Sequence, residues 1–184
     1  MDNVTNTLLE LLKYTVPAIV VLITSYVIVN KFLVSQMQRK QMAIFKDAQD
    51  VTLRLRLQAY ERLTLFIERI SQRQLIARIY DSSMTVRDLQ QAVILTITAE
   101  FEHNLAQQIY VSKNVWETVK GVKEQEMNMV STLARTLDPE APARDLHARI
   151  LEVVSQAGEN DLPTDIALKI IKDEAAKVMS YGTL

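Results

Sequence analysis

Hydrophobic positions follow two different rules along this chain. From Tyr14 to Asn30 the sequence reads YTVPAIVVLITSYVIVN, without a charge, and Lys13 and Lys31 bracket it. Beyond about residue 50 the apolar residues return at three- and four-residue steps, which is the period of half-buried helices. The first pattern has no polar face: Ala18 to Leu22 and Tyr26 to Val29 would leave none on a helix at a domain surface. Seventeen uncharged residues at about 1.5 Å each cover roughly 25 Å, slightly less than a hydrocarbon core of about 30 Å. Phe32, Leu33 and Val34 lengthen the run once Lys31 snorkels its ammonium to the surface. Leu8, Leu9, Leu11 and Leu12 do the same on the other side. The pattern predicts a membrane-spanning helix over 14–34.

Inside this segment Thr24 and Ser25 are tolerable because a hydroxyl can bond the carbonyl one turn back. Pro17 lacks an N–H, so the helix starts there or kinks there, and Thr7 with Glu10 has capping-box spacing, which would start a helix near Leu8 and favours the kink. A cleavable signal peptide would need a basic start, whereas Asp2 and Glu10 precede the apolar run, and no small-x-small cleavage site follows it. An uncleaved anchor is expected. Only Lys13 precedes the span, while Lys31, Arg39, Lys40 and Lys46 follow it with no acidic residue among them. By the positive-inside rule residues 1–13 form a short extracytoplasmic tail and the remainder lies at the cytoplasmic face of the cell membrane. Residues 35–50 read as a basic juxtamembrane stalk and 51–184 as a cytoplasmic helical domain.

The soluble part resolves into successive amphipathic stripes. Leu53, Leu57, Tyr60, Leu63, Ile67 and Ile70 mark a first helix running on from the span without a breaker. Ser71 with Gln74 reads as a capping box for a short helix to about Tyr80, and Asp81 to Ser83 as a turn. Thr85 with Asp88 caps a helix to about Tyr110, striped by Leu89, Val93, Ile97, Phe101 and Leu105. Ser112 or Asn114 opens the next, with Val115, Val119, Val122, Met129, Val130, Leu133 and Leu137 inside. Pro139 and Pro142 make a loop. A helix from Ala143 to near Gly158 buries Leu146, Ile150 and Val154. Pro163 suits the first turn of a last helix, with Ile166, Ile170, Ile171 and Val178 on its face and a frayed end at Gly182. No stretch shows sustained strand-like alternation. The expected fold is all-α: an amino-terminal transmembrane helix continuing into a long helix, followed by a cytoplasmic antiparallel helical bundle.

Net charge is −1, but the average hides a split. Residues 31–80 hold ten basic and four acidic side chains, and residues 81–184 hold ten basic and sixteen acidic. Lys31, Arg39 and Lys40, next to the anchor, are expected at the anionic leaflet surface, where each is worth about 1 kcal/mol. Arg69, Arg73 and Arg78, farther along, are expected on solvated faces with ion pairs to the acidic half. Acidic residues interleave with these arginines and stacking aromatics are lacking, so no nucleic-acid partner is expected.

Candidate chemistry is sparse. The chain has no cysteine and three glycines, so thiol chemistry and phosphate-cradling glycine loops are not available. No Gly-x-Ser-x-Gly elbow occurs. Glu100-Phe101-Glu102-His103 contains the Glu-x-x-His spacing of di-iron bundles, which need a second such pair. His147, the other histidine, has Arg144 three residues before it instead. Glu100 and His103 are thus the metal candidates, against the ordinary reading of a solvated or hydrogen-bonded histidine; no metal or cofactor is expected. Trp116 reads as a core or interface anchor.

Two stretches, Arg56-Leu57-Gln58-Ala59-Tyr60-Glu61-Arg62-Leu63 and Glu100-Phe101-Glu102-His103-Asn104-Leu105 with Gln107 to Ser112, together with the span, resemble an uncharacterised bacterial family of small single-span helical membrane proteins. The resemblance implies a membrane location and a helical fold and carries no activity. In that family Ser-Pro often follows the first long helix; Ser71-Gln72 stands here, implying a softer break. A long helix leaving a span is also similar to the peripheral stalk subunit of rotary ATP synthases, but the breaks at Ser71, Ser82, Pro139 and Pro163 argue against that. The expected function is a non-enzymatic interaction or scaffolding module, partnered by the bilayer and by another protein or a second copy. The two stretches would face a partner or each other. The alternative is a metal protein or enzyme built on Glu100, Glu102 and His103.

Overall fold

The computed structural model describes residues 2–156 and 162–181, with side chains for 5–156 and 162–180. The expected helix end near Gly158 and the frayed end at Gly182 lie outside the described residues. The described residues form six α-helices and one 3-10 turn: α1 (Asp2–Ile70), α2 (Gln72–Ile79), α3 (Val86–His103), the 3-10 segment Leu105–Ile109, α4 (Lys113–Ala134), α5 (Ala143–Gln156) and α6 (Pro163–Tyr181). Among the described residues there is no strand; Thr85 and Pro142 form an isolated antiparallel bridge. The chain divides into two compact units, Met1–Asp50 and Val51–Leu184.

The first unit is α-helix throughout its described length, starting at Asp2 rather than near Leu8 and continuing as α-helix through Pro17. The Thr7–Glu10 spacing therefore does not mark the start. Thr24 Oγ1 donates to the Val20 carbonyl at 2.6 Å and Thr15 Oγ1 to the Leu11 carbonyl at 2.9 Å, so these hydroxyls present no unpaired donor.

In the second unit a long helix is followed by helices that pack against it. Residues 51–70 of α1 bury Tyr60, Leu63, Ile67 and Ile70, as their spacing requires, and Phe66 as well. Helix α3 packs on α4 and α5, α4 on α6 and α5, and α2 on α3 and α5. One continuous apolar core results, from Tyr60 to Val178. The bridge at Thr85 ties the turn before α3 to the loop before α5: Val86 N–H donates to Ala141 O, and Ala143 N–H to Met84 O, each at 2.9 Å.

Side-chain caps open α3 and α4. Thr85 and Asp88 form the expected reciprocal capping box, and Ser112 Oγ accepts from Val115 N–H to open α4. Ser71 departs from expectation. Its hydroxyl donates back to Glu68 O at 2.8 Å and caps nothing in α2. Helix α3 stops at His103, not Tyr110, because buried Asn104 turns its Nδ2 onto the Glu100 carbonyl at 2.8 Å, competing for the α-helical acceptor. The backbone N–H of Asn104 instead reaches Phe101 O, and a 3-10 segment follows. The stripe consequently loses its last member: Leu105 is exposed. On α6, Ile166 is exposed and Ala167 and Leu168 are buried in its place.

Candidate functional site

Helix α4 carries the largest departure from its expected stripe. Its buried residues step from Val115 and Val119 through Val122 and Val130, with Glu126 between the last two at the same four-residue interval. Glu126 is 5 % exposed and faces Gln72, also 5 % exposed, in the first turn of α2. Gln72 Nε2 donates to Glu126 Oε2 at 2.8 Å. Gln72 Oε1 is buried without a hydrogen-bond partner among the described residues. Burial pushes the Glu126 carboxyl up to about 7, and the hydrogen bond from Gln72 only partly opposes this.

These two side chains line a cavity of about 470 Å³ inside the second unit. Its apolar wall comes from Ile67, Met129, Val154, Leu162 and Leu168, and buried Thr164 at the start of α6 also lines it. The charged side chains there are Glu68, Arg73, Glu126 and Asp165. An apolar pocket holding a few converging polar groups and a carboxyl titrating near neutrality is the usual form of a small-molecule site. The apolar stripe runs from Val122 to Met129 and does not mark Glu126 as buried. The available signal was a carboxylate in register with Val122 and Val130.

A second polar cluster joins three elements. Tyr60 Oη donates to Glu174 Oε1 at 2.6 Å, the Ser112 hydroxyl donates to Glu174 Oε2, and Ser112 N–H donates to Oε1 at 3.2 Å. Arg56 donates to Tyr60 Oη and, through Nε, to the Tyr110 carbonyl at 3.2 Å. Burial raises the Glu174 carboxyl, but the hydrogen bonds from Ser112 and Tyr60 and the Arg56 charge outweigh it and hold the group below its ordinary value. Tyr60 is raised by burial and by Glu174. The two stretches singled out in the sequence meet here through Arg56 and the Tyr110 carbonyl, and Phe66, three residues past the first of them, pairs with the Phe101 ring at 6.0 Å. Trp116 stacks on Phe101 at 5.4 Å within the core.

The metal candidates are placed apart from that cluster. Glu100 pairs with Arg69 at 3.0 Å and Arg78 at 3.7 Å, which is the ion pairing between basic and acidic halves expected for those arginines. Glu102 and His103 are exposed, and His103 lines a 280 Å³ cleft with Glu100 and Asn104. His147 lies against the Tyr80 ring at 5.1 Å. Among the described residues no three His, Cys, Asp or Glu side chains group to hold a metal ion.

In the first unit the described side chains of residues 14–34 are all exposed. Its most apolar stretch has a mean hydropathy of 2.0 and is 0 % buried, which sets it apart from a core helix. Lys31, Arg39 and Lys40 are exposed as well. The model of one protein family matches residues 6–178, covering both this stretch and the helical bundle. The chain belongs to DUF7935, a family of unknown function. No curated protein and no solved structure matches it. The DUF7935 match begins ahead of the apolar run, so one helix able to cross a membrane belongs to the family unit together with the domain that follows.

Proposed function

We propose that this DUF7935 chain is a single-pass, membrane-anchored interaction module. The span 14–34 crosses the cell membrane, residues 1–13 lie outside, and the helical domain stands at the cytoplasmic face. There it holds a partner protein or a second copy of itself. The observation that carries this reading is the uncharged run Tyr14–Asn30, with Leu22 71 % and Ile19 56 % exposed. A lipid core removes such a surface from water at about 25 cal/mol per Å² of apolar area. Orientation follows from Lys31, Arg39, Lys40 and Lys46 on one side of the span, of which Lys31, Arg39 and Lys40 stay beside anionic headgroups. Glu100 stands between two guanidiniums, which supports an interaction role over chemistry at Glu100, Glu102 and His103.

Because the chain has no cysteine, single cysteines report orientation cleanly. A membrane-impermeant maleimide applied to intact cells should label Asn6→Cys, and Ser155→Cys only after lysis. The reverse labelling would overturn the orientation. Crosslinking in those cells should trap one reproducible partner or a dimer; repeated recovery of monomer alone would overturn the interaction role.

A further inference from the structure

The cavity beneath α2 and α4 carries a polar floor of one kind. An ionised Glu126 can be approached by Gln72 only through its amide N–H, since the amide oxygen would be repelled. The observed bond is that one, Nε2 to Oε2 at 2.8 Å. It forces Gln72 Oε1 to stand as an acceptor without a donor. Glu126 itself accepts a single hydrogen bond from a side chain, leaving acceptor capacity on both carboxylate oxygens. Buried acceptors without donors are costly, by about 1–3 kcal/mol each, so a bound molecule supplying N–H groups is favoured there.

The charge balance selects among donors. Among the described residues, Glu68 from α1, Glu126 from α4 and Asp165 from α6 set three carboxylates against the guanidinium of Arg73 from α2, and α5 contributes Val154. The walls from Ile67, Met129, Leu162 and Leu168 are apolar. We infer that this cavity is a binding site for a primary ammonium carried on a compact apolar body, with the ammonium on Glu126 and Gln72 Oε1 and the body against Met129 and Leu168. An anion would meet the carboxylates, and a neutral alcohol would bring one hydroxyl donor where an ammonium brings three. The Glu126 carboxyl, raised to about 7, adds a pH signature. Ammonium binding favours its ionised form, so affinity rises as pH passes upward through about 7 and levels off above.

The test uses the full chain in lipid nanodiscs, with phenethylammonium as probe, 2-phenylethanol and 3-phenylpropionate as comparisons, and empty nanodiscs as the blank for partitioning. Calorimetric titration at pH 8 should show saturable binding of the ammonium alone. Affinity should fall at least tenfold in Glu126→Gln and at pH 5.5, and stay unchanged in Glu100→Gln. Met129→Trp, which fills the cavity and leaves the Gln72–Glu126 bond in place, should abolish it. Absence of saturable binding above the blank overturns the site. So does binding that persists in Met129→Trp, or equal binding by the alcohol. Circular dichroism confirms that each variant is folded, and Met129→Trp decides the matter should Glu126→Gln not fold.

Discussion

Glu126 and Glu174 place opposite pH dependences in one domain. The Glu126 carboxyl rises in the fold from its ordinary 4.5 to about 7. The unfolded chain therefore ionises first. Its contribution is fully present below 4.5 and is lost as pH climbs to about 7, a change of about 3 kcal/mol by linkage. Glu174 is held low, so its contribution is present above its ordinary value and lost as pH falls through the lower folded value. Urea midpoints followed by fluorescence of Trp116, the chain's one tryptophan, check both. Glu126→Gln should flatten the decline between pH 5 and 8 and leave the protein more stable at pH 8. Glu174→Gln should remove the acid limb and weaken the Ser112–Tyr60 cluster at neutral pH. A Glu126→Gln variant with an unchanged pH profile would show that the carboxyl is solvated. Glu126 was legible only as an anomaly of register, since helical periodicity marks which face is buried and not which polar group the neighbouring helix will meet. Gln72 was less legible still, because its partner is 54 positions away.

At the scale of elements, a boundary is legible where a side chain caps the helix that follows it and hidden where a side chain bonds back to the helix before it. Thr85 and Asp88 close a capping box within four residues, and that box is present. Ser71 and Gln74 have the same spacing, yet the serine hydroxyl goes to Glu68 O. The two sites make a paired prediction. Thr85→Ala should cost about 1 kcal/mol, as lost N-caps do, and Ser71→Ala clearly less, both measured by urea midpoint. Equal losses would mean that the Ser71 hydroxyl matters as much as a true cap. The end of α3 failed for the same reason as Ser71. Asn104 satisfies a helix carbonyl with its side chain, and nothing in the apolar stripe of Leu89, Val93 and Ile97 announces that. Stripes themselves were read well on α1 and α5, where Leu63, Ile67, Ile70, Leu146 and Ile150 are fully buried.

The whole molecule combines two surfaces of opposite character. The helical domain gathers most of its apolar stripes into a single core and leaves only scattered ones such as Leu95 and Ile109 exposed, whereas the amino-terminal unit exposes Ile19, Val20, Leu22, Ile23 and Ile28 with no polar face between them. That contrast was visible at once, because an uncharged run depends on no other part of the chain. The charge split follows the same logic: Arg69 and Arg78 of the basic half meet Glu100 of the acidic half, while Lys31, Arg39 and Lys40 stand on the apolar unit. The most direct test separates membranes from cytosol after detergent-free lysis and washes the pellet with alkaline carbonate. The full chain should remain in the pellet, and replacing Val20, Leu22 and Ile23 together with glutamate should release it to the supernatant. Recovery of the unaltered chain in the supernatant would contradict the membrane-anchored account.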